Sequence, residues 1–404
     1  TAGRLAVTAD ADSAATDVLV SVTLAPGGGG INAAVTDTGV RSDAIAIGMR
    51  DGGIPGRLLN SGEIDAIARA SSRSDGVNVG LAVNSKGGLT ASGGYLAAGE
   101  AANATARGLA IDAERAVGQF QVVALGDIAA LAEADVSRTG VSVNLAYVNS
   151  GVAIAAPVLV ADANARADAA IISGATAAGR FETGGSKRSD AVARSQATNV
   201  SVSMGGAFGG VGAGVSAISA SSTAEALGRG LAFADRPDRL SLADALAVSA
   251  IAEAHQSGTG VVIAGAKNGV GVGASLADLS TRAVSRAAAL ETGAGSDILS
   301  FAGETSVDAL AIGRSAGVGV SVGGVASGLS LAATLARSGM DASAEATGAD
   351  LGAGDDRLSG NGALAATATA DSRATDVNVS LAGSGSGVAI GASLAETSNS
   401  SRAS

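Results

Sequence analysis

The sequence predicts an all-β fold, an elongated and β-solenoid-like repeat array with about 60 residues per repeat. Three observations predict it. A Val-led run with period-2 alternation recurs along all 404 residues. Ala-faced alternating runs fall between its copies. Finally, 60 Gly and an aromatic content of 2% leave too few large side chains for an ordinary globular core, so the layers must pack through small residues.

The Val-led runs open near Val18, Val77, Val141, Val200, Val261, Val318 and Val377, spaced 57 to 64 residues apart. The clearest copy, VNVSLAGSGSGVAIGASLA (377–395), reads as strand, Gly/Ser turn, strand. Asn-Gly in the equivalent connection at 268–269 is a hairpin signal. The residue before each opening Val is Gly, Asn or Asp, as at Gly76, Asn199 and Asp376. These residues tolerate turn backbone, so a turn is expected to end each unit.

The other half of each unit alternates Ala with polar residues, as in ADANARADA (161–169) and DAIARAS (65–71). Ala-rich runs favour helix on propensity. Period-2 alternation outweighs this, because Ala66, Ala68 and Ala70 would scatter around a helix. The Ala face and the following Val differ by an odd offset, as from Ala193 to Val200 or Ala311 to Val318. A continuous strand with both sets facing inward would need an even offset, so a bulge or corner is expected in each unit. Leu58, Val122, Phe181, Leu299 and Leu358 each lie 19 residues before an opening Val and mark a recurring core position.

A 60-residue unit holds roughly four strands of about ten residues or three solenoid rungs of about 20. An antiparallel hairpin stack is the alternative arrangement. Residues 1–404 read as a single continuous array that begins and stops part-way through a unit, like a window cut from a longer protein.

A net charge of −11 argues against a nucleic-acid surface, which needs clustered Lys and Arg. The absence of Cys excludes disulfide frameworks, thiolate metal sites and Cys nucleophiles. The uncharged stretch 200–224 is too rich in Gly and Ser for a membrane helix. Aromatic girdles of the kind transmembrane barrels use are missing. The chain is therefore expected not to be membrane-embedded.

No catalytic constellation stands out. His255 is the single histidine, read as a solvated turn residue. The sharpest motif is G-x-G-x-D-x-L, present as GAGSDIL (293–299) and GAGDDRL (352–358). Both copies resemble the calcium-binding nonapeptide of the RTX family. That resemblance implies Asp297 and Asp356 as Ca²⁺ ligands, with Leu299 and Leu358 pointing into the core. RTX motifs occur in tandem, whereas these copies stand 59 residues apart. A plain Gly/Asp surface turn is the competing reading.

Taken with its VNVSLAG–GSGSG–VAIG units and A-x-A-x-A strands, the chain resembles bacterial secreted and surface repeat proteins: haemagglutinin- and RTX-type adhesins and extracellular matrix filaments. The resemblance implies a non-enzymatic structural protein, extracellular or at the bacterial cell surface. It would self-assemble into a filament or surface layer, with copies of itself and a surface or matrix component as partners. The alternative is the rod-like stalk of an adhesin; a β-helix polysaccharide-active enzyme is a distant third.

Overall fold

A computed structural model describes residues 3–51, 57–111, 120–175, 179–233 and 239–404. The described residues contain strands and no helix. The first two repeats are built from β1 (Leu5–Ala25), β2 (Gly30–Asp51), β3 (Arg57–Asn60), β4 (Ile64–Asn84) and β5 (Gly88–Ile111). Long elements follow: β7 (Ile128–Ala175), β9 (Lys187–Phe233), β11 (Leu246–Glu291), β13 (Thr305–Asp350) and β15 (Leu364–Ala403). Between them lie the short strands β6 (Phe120–Ala124), β8 (Gly179–Thr183), β10 (Arg239–Leu242), β12 (Ile298–Phe301) and β14 (Arg357–Gly360).

The long strands form one sheet in the order β1-β4-β7-β9-β11-β13-β15, with β2 and β5 continuing it alongside. Every pairing is parallel and in register with the repeat: Leu246 lies opposite Lys187 on one side and Thr305 on the other. Each repeat is therefore one rung, in place of the four short strands or three rungs its length suggested. The register also puts Thr259, rather than Val261, opposite Val200 and Val318.

Each long element passes from one arm to the other at a glycine with positive φ. Gly88, Gly151, Gly210, Gly269, Gly328 and Gly387 stack at this tip, with φ between 119° and 138°. The two arms on either side of the tip face each other through side chains. Ser285 Oγ donates to the Ala250 carbonyl at 2.7 Å, and Ser203 Oγ to that of Ala155 at 2.7 Å. Backbone hydrogen bonds run to the neighbouring rungs instead, so the unit is an arch and not an antiparallel hairpin. An arm of 21 residues, such as Ile64–Asn84, measures about 70 Å. Seven rungs at about 4.8 Å make a stack of only about 30 Å. The molecule is a broad blade.

The base of the arch, away from the tip, holds the apolar core. Ala66, Ala68 and Ala70 stack on Ala130, Ala132 and Ala134, all fully buried. A buried methyl stabilises by only about 0.8 kcal/mol, so the core depends on the number of copies. The short strands close this end. Leu58, Val122, Phe181, Leu240, Leu299 and Leu358 form one ladder, confirming the recurring position 19 before the Val. Val122, Phe181 and Leu299 are buried, and the Phe181 ring packs 4.3 Å from that of Phe233. Leu358, expected in the core, is exposed.

Two local expectations fail for one reason: the strand runs straight through the junction. No turn sits before the opening Val, since Gly76, Gly140, Gly260 and Gly317 lie mid-strand without positive φ. Gly76 and Gly140, with Gly258 at the matching register of β11, are small because a leucine from the other arm occupies the space. A Cβ there would come 2.7–2.8 Å from Leu96, Leu159 or Leu279. Nor does a bulge separate the Ala face from the Val face. Even-numbered Ala254, Gln256, Gly258 and Gly260 of β11 all face inward. Val261 and Ile263 consequently face out.

Candidate functional site

This parity creates an inversion halfway along each arm. Below it, the arch is apolar inside and charged outside, as a water-exposed sheet requires. Above it, the outside is apolar and the inside mixes small polar residues with Ala and Val, such as Ala146, Val148, Ala155 and Val262. On the first arm, the ladder from Val20 to Val379 is Val in every rung, with Val79, Val143, Val202, Val261 and Val320 between. The next ladder outward holds Val22, Leu81, Leu145, Met204, Ile263 and Val322. On the second arm, Tyr95, Val158, Leu276, Leu335 and Leu394 lie on one ladder with Ala217. Even in rungs covered on both edges, Ile263 is 41% exposed and Leu276 40%. Four alternate positions on each arm make an apolar band of about eight residues, or about 26 Å.

Beneath the band the arms enclose small polar groups. Asn78 donates to the Ala34 carbonyl at 3.1 Å, and Asn144 accepts from Ser92 at 3.2 Å while donating to Ser142 at 3.2 Å. These bonds hold the polar side chains inside. The band therefore cannot turn inward without breaking them.

Lower in the interior, Arg138 and Glu100 form a buried ion pair with Nε–Oε2 at 3.8 Å. The guanidinium also donates to the carbonyls of Ala98 at 2.8 Å and Val160 at 3.2 Å. Burial pushes the Glu100 carboxyl up to about 6, against the opposing pull of Arg138 and Ser74. Lys187 is also fully buried, its ammonium donating to the Gly126 carbonyl at 2.6 Å and to that of Gly184. Burial lowers it to about 8. None of the three residues was singled out by its sequence pattern.

On the wet half, charges pair across rungs. Arg194 reaches Glu133 at 3.0 Å, Glu253 at 3.3 Å and Asp135 at 3.5 Å. Asp168 joins Arg107 at 2.6 Å and Arg229 at 3.1 Å. Burial alone would push the Asp168 carboxyl up, but the two guanidinium groups outweigh it and hold it below the ordinary range.

Asp297 and Asp356 are brought together by the stacking of their turns. Asp356 Oδ1 accepts the Asp297 backbone N–H at 3.0 Å, and the Asp297 carbonyl accepts the Arg357 N–H at 2.8 Å. Here the Asp356 carboxylate acts as a turn cap within the stack. Among the described residues, no group of three or more His, Cys, Asp or Glu is placed to hold a metal. If these two residues do take Ca²⁺, as the RTX resemblance implies, a chelator will lower the melting temperature; an unchanged melt removes the ion.

His255 sits mid-strand on the outer face of β11 instead of in a turn. It lines a shallow groove with Gln196, Arg314 and Arg373. Burial and then Arg314 lower its pKa. The apolar cavity at the base, lined by Leu240, Leu290 and Phe301, measures about 20 Å³, room for about one water. No helix among the described residues is long and apolar enough to cross a membrane.

Comparison with family models, curated proteins and solved structures finds no match. The outer apolar bands are thus the most distinctive chemical feature on the molecule. The sequence did carry their signal, in the odd offset between the Ala face and the Val face.

Proposed function

We propose that this protein is a structural component of an extracellular filament or cell-surface layer, self-assembling through its stacked β repeats. The carrying observation is the shape of the rung. A stalk gains by advancing far per residue, yet here 59 residues, the offset between Leu246 and Thr305, advance the stack by one strand spacing of about 4.8 Å. Most of the chain goes into the breadth of the two faces. That breadth suits lateral assembly better than the projection of a distant domain. The paired charges of the wet half suit a surface bathed in water, and they neutralise one another across rungs instead of converging on a catalytic groove. Electron microscopy of the purified chain is the test: extended assemblies of uniform width are expected, and isolated rods would return the stalk reading.

A further inference from the structure

We infer that a second copy of this chain docks its second-arm face onto the first-arm face of its neighbour, tips aligned, in a contact that repeats without closing. The inference rests on the assembly reading above and names the surface that performs it. Each band covers about 26 Å by about 30 Å, or about 800 Å². That exceeds the few hundred Å² of apolar patch an unpartnered soluble protein exposes. It also equals the area each partner gives to an ordinary stable interface.

Each face is a parallel sheet with large side chains at alternate positions, the surface that packs on another sheet at about 10 Å. Gly265 and Gly324 interrupt the large residues on the first face, as Ala217, Ala274 and Ala333 do on the second. The two bands also stand at the same height on the blade, since Gly258 packs against Leu279 across the arch. Aligned copies therefore bring band onto band.

Charge at the lower margin chooses which face meets which. Below the first-arm band lie Arg314 and Arg373, which have no carboxylate within ion-pair distance among the described residues, with His255 beside them. The carboxylates nearest that margin, Asp75 and Glu253, are tied to Arg73 at 3.0 Å and Arg194 at 3.3 Å. Below the second-arm band lie the exposed Asp37, Asp162 and Asp278; Arg337 on that margin is already tied to Glu396 at 2.9 Å, and Arg282, further from the band, lies opposite Asp341 on the next rung. Like faces would set Arg against Arg, whereas unlike faces set cation against carboxylate. A contact between two different faces is heterologous and, if its operator does not close, grows into an open assembly.

The test uses the full chain with one outward-facing position changed on each face, Ile263→Arg on the first and Leu276→Arg on the second. Both side chains point away from the arch interior, so far-ultraviolet circular dichroism should keep its β signature. Wild type is expected to polymerise. Each variant alone should associate about 100-fold more weakly and run as a monomer. Mixed in equal amounts, the two should form a heterodimer that stops at two copies, because each still carries the face the other lacks.

Three results would overturn the inference. Self-pairing of Ile263→Arg would mean that like faces meet. Both variants could polymerise as wild type does, which leaves assembly to other contacts and spares the broader reading. Wild type could stay monomeric, with or without floating on neutral phosphatidylcholine vesicles, which removes both; flotation would assign the bands to lipid.

Discussion

Arg138→Ala is expected to cost about 3–5 kcal/mol of stability at pH 7.5, measured by denaturant unfolding. Removing the guanidinium leaves the Glu100 carboxylate in the interior, where both side chains of the pair are at most 1% exposed. The Ala98 and Val160 carbonyls lose their donor as well. Acidification should rescue the variant, because a protonated Glu100 needs no counter-charge. In the wild type the sign is the same. Burial raises the folded-state pKa of Glu100 from the ordinary 4.5 to about 6. The group's contribution is therefore full below pH 4.5 and falls by about 2 kcal/mol as pH rises through 6. Glu100→Gln combined with Arg138→Met should recover most of the loss, since replacing both partners leaves no isolated charge. A single variant as stable as wild type at pH 7.5 would show that the pair is hydrated and not buried.

Gly269→Ala is the second large effect, expected to cost about 2–4 kcal/mol. Gly269 has φ of 138°, a conformation open to glycine and strained for any L side chain. A Cβ there would also fall 1.9 Å from the carbonyl oxygen of Gly210 in the rung below. Backbone cannot move aside without disturbing the tip of every neighbouring rung. Gly265→Ala is the control: it lies on the outer face, where the nearest atom to a new Cβ is the Gly324 oxygen at 3.6 Å. Its cost should stay within about 0.5 kcal/mol. Equal unfolding midpoints for the two variants would reject the account of the tip.

The repeat, its length and the all-β class were legible in the sequence because they depend on periodicity. Ala66, Ala68 and Ala70 announce a strand with one Ala face whatever surrounds them. The ladder from Leu58 to Leu358 was likewise visible as a constant spacing from the opening Val. The rung count was not. A period of about 60 residues divides into one, three or four strands equally well, and only the pairing of Leu246 with Lys187 and Thr305 distinguishes them. The Gly before each Val misled for a similar reason. At Gly76 and Gly140 its small size served a leucine across the arch, and no residue nearby in sequence records that contact.

The sequence by itself determined an alternating strand, repeated in register and interrupted by glycine at one fixed point. It also determined that the Ala face and the Val face have opposite parity. Only the tertiary structure decided what that parity means. A bulge would have turned both faces inward and produced an ordinary apolar core. The strand instead runs straight, because an unbroken hydrogen-bond ladder to both neighbouring rungs leaves no extra residue to absorb a bulge. Side-chain period in a straight strand is two, so Ala at the base faces in and Val toward the tip faces out. The apolar bands follow from that alone.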